Sequence, residues 1–249
     1  MRIPDETIRC PRFNADAIWT RHSAAEEVAI AAKGIAAHES PALFGVSPDF
    51  TPMSLYALKA GRLDPPEPAK SDLWHRRLSG AVADGICADH GWKIVGRDGI
   101  YALPLHFVGM IARFELVVRC PDRGIGFLSI IEADRLPARM PLSVEIEIQH
   151  ALEASGLTWG AIGGLIGGNE ARALVRERDR EVGAEIGNRV TDLWRRVRDQ
   201  DPPGVDYLKD AAANSRAFAG KTGIKSALLA RLFRVPAAPC LWVPRRRAA

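Results

Sequence analysis

Hydrophobic and polar positions follow a helical period through the first third of the chain. From Ser23 to Lys33 the run SAAEEVAIAAK is alanine-rich with its acids in the first turn. Carboxylates there favour the positive end of a helix dipole, so the run predicts a helix. HESPALFGVSPDFTPMSLYALKAGR predicts a turn of helix closed by Gly45 and a proline-marked link. A second helix follows, capped by Thr51, opened by Pro52 and ended by Gly61. RLDPPEPAKSD reads as a surface connection. After it, LWHRRLSGAVADGICADHG sets Leu73, Leu78, Val82 and Ile86 near helical spacing and stops at Gly91, predicting a central helix.

The period then shortens toward two. WKIVG, FELVVR and GFLSII are short β-branched runs, and CPDRG breaks the last two as in a hairpin or meander. PLSVEIEIQHALEASG returns to helical character. LTWGAIGGLIGG and ARALVRER flank GGNE like a second hairpin, and DREVGAEIGNRVTDLWRRVRD is a long amphipathic helix. The pattern predicts an α/β fold, one mixed central sheet flanked by helices, with no internal repeat. Beyond DPPGVD the chain turns basic and alanine-rich, reading either as a short basic helix with a flexible end or as drifted sequence.

Composition narrows the function classes. The 249 residues, 47% hydrophobic and 26% charged, suffice for a sizeable core in one large α/β domain or two small ones. No apolar run approaches a membrane span and the N-terminus is too polar for a secretory signal, so a cytoplasmic protein without a membrane partner is expected. Cys10, Cys87, Cys120 and Cys240 lie far apart, which supports neither a disulfide framework nor a zinc site. GAIGGLIGG is dense in glycine but lacks the Lys-Ser/Thr of a phosphate loop, so close sheet packing explains it better. Without H-E-x-x-H or G-x-S-x-G, hydrolase triads are unsupported. The net charge of +4 and pI near 9.0 permit a polyanionic partner. Arginine concentrates in WHRRL, RALVRERDR, WRRVR and RRR, although such clusters most often form solvated helix faces.

The order of the pieces carries more than any one of them. GIAAHESPALFGVSPDFTPMSLYALKAGR, WHRRLSGAVAD, CPDRGIGFLSIIEAD, EIQHALEASGLTWGAIGGLIGGNE with a following RERD, and PPGVD after a Trp-bearing helix succeed one another from about Gly34 to Asp206. In that order they resemble the YqaJ-type viral recombinases, relatives of lambda exonuclease among the PD-(D/E)xK nucleases. The resemblance implies a restriction-endonuclease-like fold in a domain over 34–206, preceded by an N-terminal arm and helix over 1–33 and followed by a tail over 207–249. It also implies metal-assisted phosphodiester hydrolysis, in which carboxylates from a helix and two adjacent strands hold Mg²⁺ and a lysine orients the nucleophile.

Carried over residue by residue, those positions are degenerate. The helix glutamate falls on Ser79, the first strand aspartate on Arg113, and the E-x-K pair on Ser129 and Ile131. In the Q-x-Q-H helix the first glutamine falls on Glu147, while Gln149 and His150 match; a serine that contacts the terminal phosphate in the family falls on His38. The expectation is a catalytically silent homologue that needs no metal and acts in DNA binding or in binding a recombination protein. Two alternatives stand beside it. Mg²⁺-dependent activity would return if acids such as Glu115, Glu132, Asp134 or Glu147 had replaced the lost ligands, and a decayed prophage remnant would have no selected activity. The partners implied are double-stranded DNA ends, a phage single-strand annealing or recombination protein, and further copies of the chain. Arg76, Arg77, Arg113, Gln149 and His150 are the candidate DNA contacts. Arg113 either takes a phosphate bidentately or pairs with Glu115 or Glu132 as structural repair.

Overall fold

The computed structural model describes residues 8–9, 13–64, 70–133, 140–206 and 210. Seven strands form one sheet in chain order: β1 (Ile8–Arg9), β2 (Ala17–Arg21), β3 (Lys93–Pro104), β4 (Ala112–Cys120), β5 (Gly124–Ala133), β6 (Trp159–Ile166) and β7 (Glu170–Glu177). All neighbours are antiparallel except β5 and β6. That parallel pair needs a crossover, which helix α4 (Leu142–Ser155) supplies. The other helices are α1 (Ala24–Ala31), α2 (Pro52–Lys59), α3 (Lys70–His90) and α5 (Arg180–Asp199), with a 3-10 helix over Ala37–Phe44. The expected α/β architecture with a mixed central sheet is the one observed.

Local chemistry ends the elements where the sequence places the signals. Thr51 Oγ1 accepts from the Ser54 amide and Ser54 Oγ accepts from the Thr51 amide, a reciprocal cap on α2. Asp179 caps α5 through the amides of Glu181 and Val182. The β4–β5 hairpin turns at Gly124, whose φ of 74° suits a residue without Cβ.

Three features depart from the sequence reading. The AIWTR segment is strand β2, paired with β3 from Ala17↔Pro104 to Arg21↔Ile100, so the sheet reaches back past the expected boundary at residue 34. Five residues are too short for periodicity to declare a strand. Strand β3 runs well beyond WKIVG, kinking through bulges where Asp98 and Gly99 take positive φ. Residues 211–249 lie outside the described residues, but Asp210 is buried: Thr51 Oγ1 donates to its Oδ1 and the Asp206 amide to its Oδ2.

Two buried clusters sandwich the sheet. One joins Ile86 and Ala83 of α3 to Leu116, Val118, Leu128, Ile130 and Trp159; the other joins Ile146, Ile148 and Leu152 of α4 to Phe114, Val117 and Phe127. Glycines in β6 allow this closeness. A Cβ on Gly163 would stand 2.5 Å from Ile86 Cδ1 and one on Gly164 2.7 Å from the Ile131 carbonyl oxygen, so GAIGGLIGG is a packing surface. A buried ion pair, Lys59 Nζ to Glu39 Oε1 at 2.7 Å, locks α2 to the 3-10 helix. Glu39 also accepts from the Ala36 amide, and Lys59 donates to the Ala31 carbonyl.

A candidate nucleic-acid cleft where two strands part

The β4–β5 ladder runs from Cys120↔Gly124 to Leu116↔Leu128 and ends there. Beyond that point β4 stays with β3 as far as Ala112↔Ala102, while β5 stays with β6 to Ala133↔Ile166. The strands therefore part. A cavity of about 270 Å³ occupies the fork, lined by Arg113, Glu115, Ser129, Ile131, Glu147 and His38 over an apolar floor. Alternation explains the pairs: residues two apart on a strand share a face, so Arg113 goes with Glu115 and Ser129 with Ile131. Helix α4 closes one side with Val144, Glu147, Ile148 and Ala151.

A second cavity of about 270 Å³ shares Arg113 and Glu115 with the first and is otherwise lined by Ser79, Gly80, Arg97, Asp98 and Leu116. Ser79 of α3 thus approaches the same two β4 side chains that face Ser129 and Ile131. The four carried-over positions meet at two adjoining cavities although the outermost, Ser79 and Ile131, are 52 positions apart. A larger cavity of about 480 Å³ lies elsewhere, between Leu43, Pro52 and Arg189, Asp192 and Arg196 of α5. Its arginines are engaged by acids of their own helix: Arg189 with Glu185, and Arg196 with Asp192.

Arg113 does not stand alone. Its Nε donates to Glu27 Oε1 of α1 at 3.3 Å, an ion pair with side chains 40% and 27% exposed. Partial burial opposes the guanidinium charge, but Glu27 foremost, then Tyr101 and Glu115, hold its pKa above the ordinary value. The hydrogen-bonding partner is thus Glu27, with Glu115 adding a favourable charge nearby. Tyr101, opposite Arg113 in the β3–β4 register, has its hydroxyl pushed up to about 12 by burial and by Glu27. Glu147 is half-buried, and its carboxyl is raised to about 7, first by burial and then by Asp49.

Other carried-over positions fall differently. His150 is fully buried; its Nε2 donates to the Ile111 carbonyl at 2.9 Å, and burial pushes its pKa down to about 4. It is a core residue tying α4 to the start of β4, which removes it from the DNA contacts. Gln149 is a clamp: its Nε2 donates to the Glu177 carbonyl and its Oε1 accepts from the Asp179 amide, holding the β7–α5 corner. Each amide end makes one bond to backbone, which accounts for Gln149 as a structural residue. Arg77 is exposed on α3 and outside both cavity linings. The side chains of Arg76 and Glu132, and Asp134 entirely, lie outside the described residues.

The donor set that the described residues bring to the fork does not fit a divalent cation. Among the described residues no three His, Cys, Asp or Glu side chains are grouped as a metal site requires. The Arg113 guanidinium lines the same cavity as Glu115 and Glu147, where Mg²⁺ needs converging oxygens.

No protein-family model and no curated protein matches the chain. Among solved structures it is similar to LHK-Exo in complex with dAMP, at 14% identity and a TM-score of 0.53 over 75% of this chain and 96% of that one. It is likewise similar to the alkaline exonuclease LHK-Exo from Laribacter hongkongensis, at 15% identity and a TM-score of 0.52 over 76% and 98%. The chain has the α/β nuclease fold of those exonucleases. No helix among the described residues is long and apolar enough to cross a membrane.

Proposed function

We propose that this protein is a nuclease-fold DNA-binding protein that grips duplex DNA by its phosphates and does not cut it. The observation that carries the reading is Arg113 at the strand fork, which lines one cavity with Ser129 and Ile131 and the adjoining cavity with Ser79. An arginine offers five donors and a permanent charge, so it makes a direct charge-assisted contact to a phosphate where a nuclease of this kind would use a metal bridge. The Glu27 contact orients the guanidinium without covering it. Two observations weigh against hydrolysis: no group of acids among the described residues could hold a cation, and Ile131, not a lysine, stands two residues after Ser129.

A second reading, a metal-dependent exonuclease with relocated acids, is favoured by Glu115 and Glu147 lining one cavity. A gel shift on linear duplex DNA separates the readings when run beside a divalent-dependent digestion assay. Binding without digestion, weakened about tenfold or more in Arg113→Ala as expected for a lost charged hydrogen bond, supports the proposal. Digestion, or binding indifferent to Arg113→Ala, overturns it.

A further inference from the structure

Many arginines of the described residues are already committed to acids. Around β7 and α5, Arg123 is held by Glu177 at 2.7 Å, Arg172 by Glu170 at 2.6 Å, Arg178 by Glu153 at 2.7 Å and Arg189 by Glu185 at 2.7 Å. Asp192 serves both Arg195 and Arg196. Over residues 1–210 the sequence holds 26 Lys and Arg against 30 Asp and Glu, a net charge of −4. Residues 211–249 hold eight Lys and Arg and no acid, a net charge of +8, so the +4 of the whole chain is the balance of two opposite parts. A polyanion meeting residues 1–210 alone meets an excess of acid, and Arg113 answers one phosphate of it.

Resting on the DNA-binding reading above, we propose that the acid-free segment 211–249 supplies most of the affinity for duplex DNA by contacting phosphates away from the fork. Its root is fixed to the fold. Asp210 is buried, accepting from Thr51 Oγ1 at the cap of α2 and from the Asp206 amide at 2.7 Å. The Lys59–Glu39 pair locks α2 to the 3-10 helix, and His38 of that helix lines the fork cavity. The segment therefore starts two packed elements from Arg113, and 39 residues at up to about 3.4 Å each reach well beyond that. Its composition suits a polyanion: cations recur from Arg216 to the Arg245–Arg247 run with no carboxylate among them to repel a phosphate. Each neutralised phosphate adds about 0.9 to the fall of log K with log salt, so several such contacts outweigh the one at Arg113.

Fluorescence anisotropy of labelled linear duplex DNA with the full-length chain, over a salt series, tests this. Three variants are compared with the parent: all eight Lys and Arg of 211–249 changed to Gln, the two Lys of that segment changed to Arg, and Arg113→Ala. Neutralising the segment should weaken binding about a hundredfold or more near 100 mM salt and lower the salt slope by about three or more, whereas Arg113→Ala should lower it by about one. The Lys-to-Arg variant, which keeps every charge, should stay within about twofold of the parent. A urea melt checks that the Gln variant is folded; if it is not, Arg245→Gln, Arg246→Gln, Arg247→Gln takes its place, with a slope lower by about two. Parental affinity and slope after neutralisation overturn the assignment. Tighter DNA binding would overturn it too, by showing that the segment covers acids of residues 1–210, and so would displacement of the DNA by vesicles of equal phosphatidylcholine and phosphatidylglycerol at matched anionic charge. If binding survives neutralisation but falls in Arg113→Ala, the DNA-binding reading stands and only the role of the segment falls. If the parent binds no DNA, both fall.

Discussion

Arg113 of β4 and Glu27 of α1 form an ion pair at 3.3 Å across 86 positions of sequence, and through it α1 is tied to the mouth of the strand fork. Both side chains keep solvent access, so the pair itself contributes about 1 kcal/mol or less to stability. Its effect is positional. A guanidinium held by one carboxylate at Nε keeps its direction, and a phosphate arriving at the cavity meets an oriented donor.

Purified protein is expected to leave linear duplex DNA intact in Mg²⁺ or Mn²⁺. Groups that act as a unit in metal-assisted hydrolysis are not independently dispensable, and in the proposed reading Ser79, Arg113, Ser129 and Ile131 stand in the place of four of them. Gel analysis over a long incubation checks this. Digestion that a chelator stops and Glu115→Ala abolishes would establish the relocated site instead.

DNA affinity is expected to fall about tenfold or more between roughly 50 and 200 mM salt, because neutralising several phosphates releases counterions. Arg113→Ala should flatten the slope by about one contact, whereas Gln149→Ala and His150 substitutions should act through stability and leave the slope of the folded fraction unchanged. Fluorescence anisotropy across a salt series measures it. A flat response would show that phosphate contact is not the basis of binding.

Glu147 makes stability depend on pH in a stated direction. Its folded pKa of about 7 lies above the ordinary 4.5, so the native state binds the extra proton between those values. Stability is therefore undiminished below about pH 4.5, declines as pH rises through 7, and stays lower above. At about 1.4 kcal/mol per unit the ceiling on the loss is about 3 kcal/mol. Glu147→Gln should raise stability near pH 8 by up to that amount and change little near pH 4.5. Urea melts of both proteins at the two pH values decide it, and an equal difference at both would refute the assignment.

Lys59→Met should destabilise by about 3 kcal/mol or more, because it leaves Glu39 charged and buried without its counter-ion. Adding Glu39→Gln should recover part of that loss, since the uncompensated charge is then gone. A double-mutant cycle by denaturant melts yields the coupling. Additive effects would mean that the two side chains do not sense each other.

Much of this protein was decided by local sequence. Leu78, Val82 and Ile86 recur at helical spacing and place α3; FELVVR and GFLSII around CPDRG make a hairpin; Gly45, Gly61 and Gly91 mark ends where a side chain would strain the backbone. These are effects within a few residues, which the chain carries wherever it sits. That Arg113, Ser129 and Ile131 stand where the resembled nucleases carry two acids and a lysine is what the resemblance implies, and no local pattern by itself says so.

Tertiary structure decided the rest. AIWTR became a strand because β3 offered it a partner, with Trp19 buried against Phe114. His150 and Gln149 sit beside each other in a motif that suggested nucleic acid, yet α4 turns one into the core and the other onto the β7–α5 corner. Arg113 pairs with Glu27, 86 positions away in sequence, because the fold brings α1 to β4. Periodicity says which face a side chain occupies; which distant element covers that face follows from how the whole chain buries its apolar surface, and the cleft exists only where β4 and β5 stop pairing.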